Sequence, residues 1–462
     1  MTIKKTEKYT VDELFTESVS LIEEDVEQAL NGFHYLLNND PDSNALVFYI
    51  GTCEMKRGNF GVAVNLLKLS IDMKKDGDFA EAWNNLGWCY HEQGFIEKAD
   101  DCFKKTMELK PESADVYNNV ASCYVNNGTP DKALHFLKKG FELDPNHGQI
   151  SWNIGLAYLE KGMWVEGWKG YEFGLESGHR KRRNYHKDVE TPLWKGEKGH
   201  TVVIYGEQGI GDETMFASIL PDAIKDADVI FDCHPRLVNI FRNSFPDIPI
   251  FGTRKEKELD WCTKEKIDSC LPIGSLGGMY RKKLKDFPKK PYIKADDFLV
   301  SKIKERLNTK KPIVVIHWKG GTAKTNKDYR SIGLKEWKPI LEKDCEFVSL
   351  QYTENAPEVV KMVNEEYGVN IHHWEDVVAD MDWQTAALQA SDLVISVNTS
   401  IVHISGALGK ECWCLTPKKC AWRYGLKDEQ MAWYGSVKQY RETNGWTPII
   451  EQVAKDLEEK LC

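Results

Sequence analysis

The sequence predicts two kinds of fold in one chain: an all-α repeat solenoid, then an α/β part made of two facing, doubly wound halves. Three observations predict it. Small, aromatic and proline positions recur every 34 residues through the first part. After residue 200 the apolar pattern switches to short strand-like runs alternating with helices. Finally, T-V-V-I-Y-G-E-Q-G-I-G-D (201–212) runs an apolar strand into a glycine-rich turn, with an acid where the next helix begins. Open α/β sheets put ligands at such turns.

The repeat comes first in the chain. Gly87, Ala121 and Gly155 share one register, as do Tyr90, Tyr124 and Tyr158, and Gly94, Gly128 and Gly162; Pro111 and Pro145 keep the same step. The fullest copy is Trp83, Leu86, Gly87, Tyr90, Gly94, Ala99, Phe103 and Pro111. Gly51, Gly58, Ala63 and Leu67 mark a weaker copy, and Ala29, Phe33, Leu36 and Pro41 a degenerate first one. This order resembles the tetratricopeptide repeat, with about five helical hairpins over residues 10–181. Small residues let the two helices of a hairpin approach closely, and the tyrosines fill the layer between hairpins. Each hairpin leaves an apolar face bare, so stacking is obligatory. The stack is a curved solenoid whose concave groove suits an extended peptide or protein segment, or else an array serving only to pack on the next domain.

The repeat signal fades after Trp164, Trp168 and Tyr171. H-R-K-R-R-N-Y-H-K (179–187) follows, readable as a solvated hinge or as a phosphate or acidic-acceptor contact beside a cleft. P-L-W-K-G (192–196) leads into the α/β part.

Composition narrows the function classes. With 462 residues the chain has room for several domains. Its formal net charge of −10 argues against a general nucleic-acid binder. No run is long and apolar enough for a membrane span, and the first residues lack a signal peptide's apolar stretch. The 12 cysteines are scattered with no C-x-x-C pair, which reads as buried reduced thiols in a cytoplasmic protein.

Candidate strands are Thr201–Tyr205, Val229–Phe231, Pro249–Phe251, Ile313–His317, Phe347–Leu350, Leu393–Val397 and Cys412–Leu415. Helical patterns cover 212–225, 235–244, 335–342, 356–366, 382–390 and 400–408. Such alternation means mostly parallel sheets covered by helices. A Pro- and Lys-rich break at 285–295 divides the α/β part. The expected domains are therefore 1–186 (repeats), 187–295 and 296–462 (two Rossmann-like halves). A last helix near 447–460 is expected to pack back on the first half.

Here a second resemblance becomes specific. W-K-G…Y-G-E-Q-G-I-G-D, C-H-P-R-L…S-F-P, R-S-I…W…F-V-S-L-Q and D-L-V-I-S-V-N-T-S-I-V-H-I-S-G-A-L-G-K together look like bacterial repeat-containing proteins with a heptosyltransferase-like glycosyltransferase domain. The similarity covers nearly all of 190–450. It implies a GT-B fold, a nucleotide-sugar donor held mainly by the second half and an acceptor held by the first. It also implies no separate cofactor and no metal; the D-x-D strings at Asp226/Asp228 and Asp380/Asp382 are short acidic matches of the kind that chance produces.

Glycosyl transfer needs a diphosphate cradle, a base and a nucleotide pocket. N-T-S (398–400) follows a strand and opens an apolar helix containing His403, a candidate catalytic residue or else a packing histidine. Thr399 or Ser400 would cap that helix, whose free N–H groups suit an anion. Heptosyltransferases read Asp-Thr-x-x-x-His at this place, so Asn398 departs from them and removes a carboxylate from a phosphate site. H-W-K-G-G-T (317–322) is the second cradle segment. Gly320 and Gly321 permit close backbone approach, Lys319 supplies a mobile charge, and Thr322 is a further candidate contact to the nucleotide sugar. Arg330 either reaches the same anion or anchors the loop through backbone carbonyls.

Asp212 aligns with the aspartate taken to deprotonate the acceptor in heptosyltransferase-like enzymes, with Glu207 as runner-up. A helix N-terminus favours the charged form of Asp212 and so weakens it as a base. Gly209 and Gly211 would clear space for the incoming sugar or hydroxyl. Trp422 or Tyr424 would stack on the nucleotide base, with Arg423 adding a polar contact; core packing explains these rings equally well. Gln351, after its strand, is a candidate ribose contact. Two functions follow. One is a glycosyltransferase, inverting and metal-independent, acting on a protein or glycan acceptor recruited by the repeats. The other is a non-catalytic scaffold with a degenerate nucleotide-sugar-binding domain.

Overall fold

The computed structural model describes residues 10–74, 77–126, 128–254, 256, 259–320 and 327–461. It divides into two compact units, Met1–Ile150 and Ser151–Cys462.

The first unit is built from antiparallel helix pairs: α1 (Val11–Leu21) with α2 (Val26–Asn39), α3 (Asn44–Lys56) with α4 (Phe60–Met73), α5 (Ala80–Glu92) with α6 (Ile96–Leu109), and α7 (Ala114–Asn126) with α8 (Pro130–Leu143). A capping box opens α1: Thr10 Oγ1 accepts from Glu13 N, and the Glu13 carboxylate accepts from Thr10 N at 2.8 Å. The repeated small position works as expected. A Cβ on Gly87 would lie 2.6 Å from Phe103 Cε1, so glycine is what lets α5 close on α6. Gly94 and Gly128, at φ +82° and +65°, make the turn inside each hairpin in the left-handed region. Tyr124 is buried, stacks on Phe136 of its own hairpin with centroids 5.6 Å apart, and meets Phe103 of the preceding hairpin edge-on at 6.0 Å, filling the layer between pairs.

A fifth hairpin, α9 (Gly148–Glu160) and α10 (Trp164–Glu172), completes the expected count among the described residues. Its position departs from the expected boundary at 186. The compact units part at Ile150/Ser151, because Trp152, Leu159, Trp168 and Tyr171 bury their side chains in the core of the α/β unit. Trp168 Nε1 also donates to Arg281 O at 2.7 Å.

That unit holds two parallel sheets. The first has β1 (Thr201–Tyr205), β2 (Asp228–Asp232), β3 (Ile250–Phe251) and β4 (Ser269–Pro272) in the order β3-β2-β1-β4. Around it lie α11 (Ile210–Ala217), α12 (Leu220–Ala223), α13 (Val238–Ser244) and α14 (Leu276–Tyr280). The expected helix 212–225 is broken because Pro221 starts a new one.

The second sheet has β5 (Ile313–His317), β6 (Glu346–Ser349), β7 (Ile371–His373), β8 (Leu393–Val397), β9 (Cys412–Thr416) and β10 (Val437–Arg441), in the order β10-β9-β8-β5-β6-β7. Counted from β5, this is the doubly wound order 3-2-1-4-5-6. Its helices are α15 (Asp297–Leu307), α16 (Lys338–Leu341), α17 (Ala356–Tyr367), α18 (Glu375–Ala379), α19 (Met381–Ala390), α20 (Ser400–Leu408) and α21 (Thr447–Leu461).

Strands β4, β7 and β10 were not expected; S-C-L-P, I-H-H and V-K-Q-Y-R are too short or too polar to register as apolar runs. The last helix also differs from expectation. α21 buries Ile450, Val453 and Leu457 against Trp337 and Ile340, in the second half's own core rather than on the first half.

Candidate functional site

Each sheet has one place where the strand order reverses, between β1 and β4 and between β5 and β8. In open α/β sheets such reversals mark the crevice outside the strand C-termini where ligands bind.

In the second half the two crevice loops meet. A Cβ on Gly320 would fall inside the van der Waals shell of Thr399 Cγ2, so the loop after β5 lies directly on the turn after β8. Gln351, fully buried, holds this loop. Its Oε1 accepts from Lys319 N at 2.9 Å and its Nε2 donates to Lys319 O at 2.8 Å. Its amide is thus spent on the backbone of Lys319, a positioning task that differs from the expected ribose contact. Arg330 Nη1 donates to Asn398 O at 3.2 Å, tying the two loops together through a carbonyl. Thr399 is the cap of α20: its Oγ1 accepts from Ile401 N at 3.3 Å, and Ser400 starts the helix half-buried. Asn398 Oδ1 accepts from Cys414 Sγ at 3.0 Å. Lys319 is half-buried, and among the described residues no carboxylate pairs with it. Gly321 and Thr322 lie outside the described residues.

The first half's crevice is filled. Glu207, its side chain 1% exposed, bridges the strand reversal by accepting from Gly274 N at 3.1 Å. Arg180 enters from the basic run and grips Glu207 with two nitrogens, Nε at 2.8 Å and Nη2 at 3.0 Å. The same guanidinium donates to Ser275 Oγ at 2.7 Å and lies over the Tyr171 ring at 4.5 Å. Burial raises the Glu207 carboxyl above its ordinary range, with Arg180 opposing. Three arginines of the basic run are thus engaged within the protein, while Lys181 and Lys187 are exposed. Arg180 is an internal anchor, Arg183 Nη2 lies 3.6 Å from the buried Asp232, and Arg182 pairs with Glu190. A further buried pair, Arg254 with Glu213 at 2.8 Å, lies beside them, and burial pushes Glu213 up to about 7 despite Arg254.

Between the halves, α11 packs on α20. The space left by Gly211 is occupied: a Cβ there would lie 2.9 Å from His403 Cδ2 and 3.4 Å from Ser400 Cα. Gly211 thus serves helix contact, not an open sugar site. Gly209 is the exposed cap residue of α11, near the Asp212 carboxylate. Asp212 pairs with Arg423 of the second half. His403 is buried with both ring nitrogens engaged, Nδ1 with Tyr434 OH at 3.1 Å and Nε2 with Tyr424 OH at 3.2 Å. Burial lowers its pKa to about 3, which leaves a neutral packing histidine. Trp422 sits among Trp168, Tyr171, Phe216 and Trp433 at 5.7–6.4 Å, edge-on or tilted, so its ring is committed to packing.

The D-x-D strings serve local structure. Asp226 accepts from Tyr280 OH, Asp380 caps α19, and Asp382 accepts from Asn239. Among the described residues no cluster of His, Cys, Asp and Glu has a metal-binding arrangement, and no helix is long and apolar enough to cross a membrane.

Sequence reasoning missed the Arg180–Glu207 and Arg254–Glu213 pairs. The available signal for the first was an acid inside an otherwise apolar strand–turn segment, preceded by a basic run. It also missed His317, fully buried at the tip of β5 with neither ring nitrogen hydrogen-bonded among the described residues.

The fold defines a helical-repeat protein joined to an α/β unit of two parallel sheets. The tetratricopeptide repeat profile matches residues 80–113 and 114–147, so the α5–α6 and α7–α8 hairpins are tetratricopeptide repeats. The chain is similar to protein FlbA of Caulobacter vibrioides, 27% identical over 317 residues, which are 63% of this chain and 52% of FlbA; the chain spans about half that relative's length. Among solved structures it is similar to TTC0263, a thermophilic TPR protein of Thermus thermophilus, at 20% identity and TM-score 0.33, covering 36% of this chain and 91% of that one. It is also similar to pilF of Pseudomonas aeruginosa, at 17% identity and TM-score 0.31, covering 38% and 78%.

Proposed function

We propose that the chain is a glycosyltransferase of GT-B architecture, moving a sugar from a nucleotide-sugar donor to a protein or glycan acceptor recruited by the repeats. One observation carries this reading: at the reversal of the six-stranded sheet, the Lys319–Gly320 loop lies on the capped N-terminus of α20, with Asp212 in the α11 turn that packs against that helix. Main-chain N–H groups, hydroxyls and cationic side chains there suit a diphosphate leaving group. In the transfer, the acceptor oxygen bonds to the anomeric carbon from the face opposite the leaving group. The carbon–phosphate oxygen bond breaks with its electron pair left on the diphosphate, and the acceptor proton passes to Asp212. The configuration inverts, and the donor is consumed without a resident cofactor.

Donor hydrolysis across a panel of nucleotide sugars tests this. Turnover with one donor is expected, and Asp212→Ala should lower it by about 10²–10⁴-fold; no turnover with any donor and acceptor would sink it. The second reading, a non-catalytic scaffold that still binds a nucleotide sugar, is favoured by specific contacts: Glu207 and His403 are fully engaged in packing, and Asp212 is ion-paired. A thermal-shift screen with the same donors, showing binding without turnover, would select it.

A further inference from the structure

Arg423 connects the two halves. It leaves the second half in the turn Trp422–Tyr424 and places Nη2 on Asp212 Oδ1 in the first turn of α11. Both side chains are 18% exposed. A guanidinium carries five N–H donors. Among the described residues Asp212 is its one hydrogen-bond partner, and its Nε is buried with none. Burial pulls its pKa below the ordinary value, so the buried guanidinium, which stays charged, gains from a nearby anion.

The surroundings are cationic. Gly211, next to Asp212, lies against Ser400 at the start of α20. Arg330 is bonded to Asn398 O, one residue before the cap. Burial raises the pKa of the Tyr424 hydroxyl, and Arg423 and Arg330 both lie close enough to oppose that rise. Among the described residues Asp212 is thus the carboxylate paired into a region with two guanidiniums. A carboxylate so paired is a poor proton acceptor, because proton uptake would cost the ion pair.

We propose that the Asp212–Arg423 pair is a competitive gate: a diphosphate entering beside α20 takes the Arg423 guanidinium, and the loss of that counterion is what turns Asp212 into a base. This rests on the glycosyltransfer reading above. It makes Arg423 a ligand of the donor diphosphate, and it orders the reaction, since the base is armed only when donor is bound. It also answers the difficulty of a helix-N-terminal aspartate acting as a base: an incoming dianion removes the stabilising cation and adds negative charge nearby, and both raise proton affinity.

The test is calorimetric titration of the full chain with inorganic pyrophosphate, with nucleoside diphosphates in parallel. Arg423→Met should weaken binding by about tenfold or more. Asp212→Asn should tighten it by roughly three- to tenfold, because the competing carboxylate is gone. In the Arg423→Met background, Asp212→Asn should change binding by less than about twofold. Arg423→Lys, which keeps the charge but not the fork, should fall between and serves if the methionine variant does not fold. An ion pair with only a structural role predicts equal or weaker binding in Asp212→Asn; that result, or no pyrophosphate binding by the unaltered protein, overturns the gate. The two readings fail separately. Coupling without turnover of any donor leaves the competition for Arg423 and removes the glycosyltransferase, and with it the arming of a base. Turnover without coupling leaves the enzyme and removes the gate.

Discussion

The two sheets of the α/β unit share a topology around their strand reversals but treat the resulting crevices oppositely. In the first half, Arg180, Glu207 and Gly274 N fill the space with a buried, fully hydrogen-bonded pair. In the second half, the same place holds a capped helix N-terminus, a glycine loop and a lysine with no acidic partner among the described residues. Topology supplies a crevice; side-chain chemistry decides whether it is a joint or a site. The first crevice has been turned into the seat of the last repeat hairpin, since Arg180 also bonds Tyr171 O and Glu172 on the segment from α10.

The largest expected effect comes from breaking the filled crevice. Arg180→Ala leaves Glu207 buried without its cation and should cost about 3–5 kcal/mol of unfolding free energy, read by denaturant titration. The double change Arg180→Met with Glu207→Leu should recover much of it. Recovery of nothing would mean that the pair does more than fill space.

A smaller effect separates the halves by pH. Glu213 in the first half is pushed by burial up to about 7, with Arg254 opposing, from an ordinary 4.5. The folded state therefore holds this proton to higher pH than the unfolded state does. Its contribution to stability is full below about pH 4.5 and is lost as pH rises through 7, about 3 kcal/mol in all. Glu213→Gln should flatten that part of the stability–pH curve. An unchanged slope would place the titration elsewhere.

The smallest effect belongs to the open crevice. Thr399→Ala removes the α20 cap and should cost about 1 kcal/mol of stability. If the crevice is a diphosphate site, pyrophosphate affinity should fall as well. A loss of stability with unchanged affinity would reduce Thr399 to a cap.

Much of the fold was legible because it depends on local pattern. The 34-residue step of small and aromatic positions encodes helix contact, and Gly87 against Phe103 shows why no larger residue serves. The strands β1, β5 and β8 are mostly apolar runs, buried on both faces, and their bounds match those expected. The edge strand β7 and the polar β10 were not legible, because their residues carry no such pattern. At the site, Gly320 and Thr399 were recognisable as members of two loops that follow buried strands, and the structure brings those loops together. Gln351, His403 and Trp422 were identified as important positions, but their partners were not readable: Lys319 is 32 residues from Gln351, and Tyr434 is 31 from His403.

What the sequence alone determined is periodic: which segments are helices, which are buried strands, where glycine must turn the chain, and that two fold classes follow one another. These properties depend on residues within a few positions of each other. What only the tertiary structure decided is pairing: that Arg180 of the basic run belongs to Glu207, that Asp212 meets Arg423, and that the last hairpin joins the α/β core. Asp212 and Arg423 stand 211 positions apart. A charge's partner is set by the distance and burial that the completed fold imposes, and neither is written in the charge's own neighbourhood along the chain.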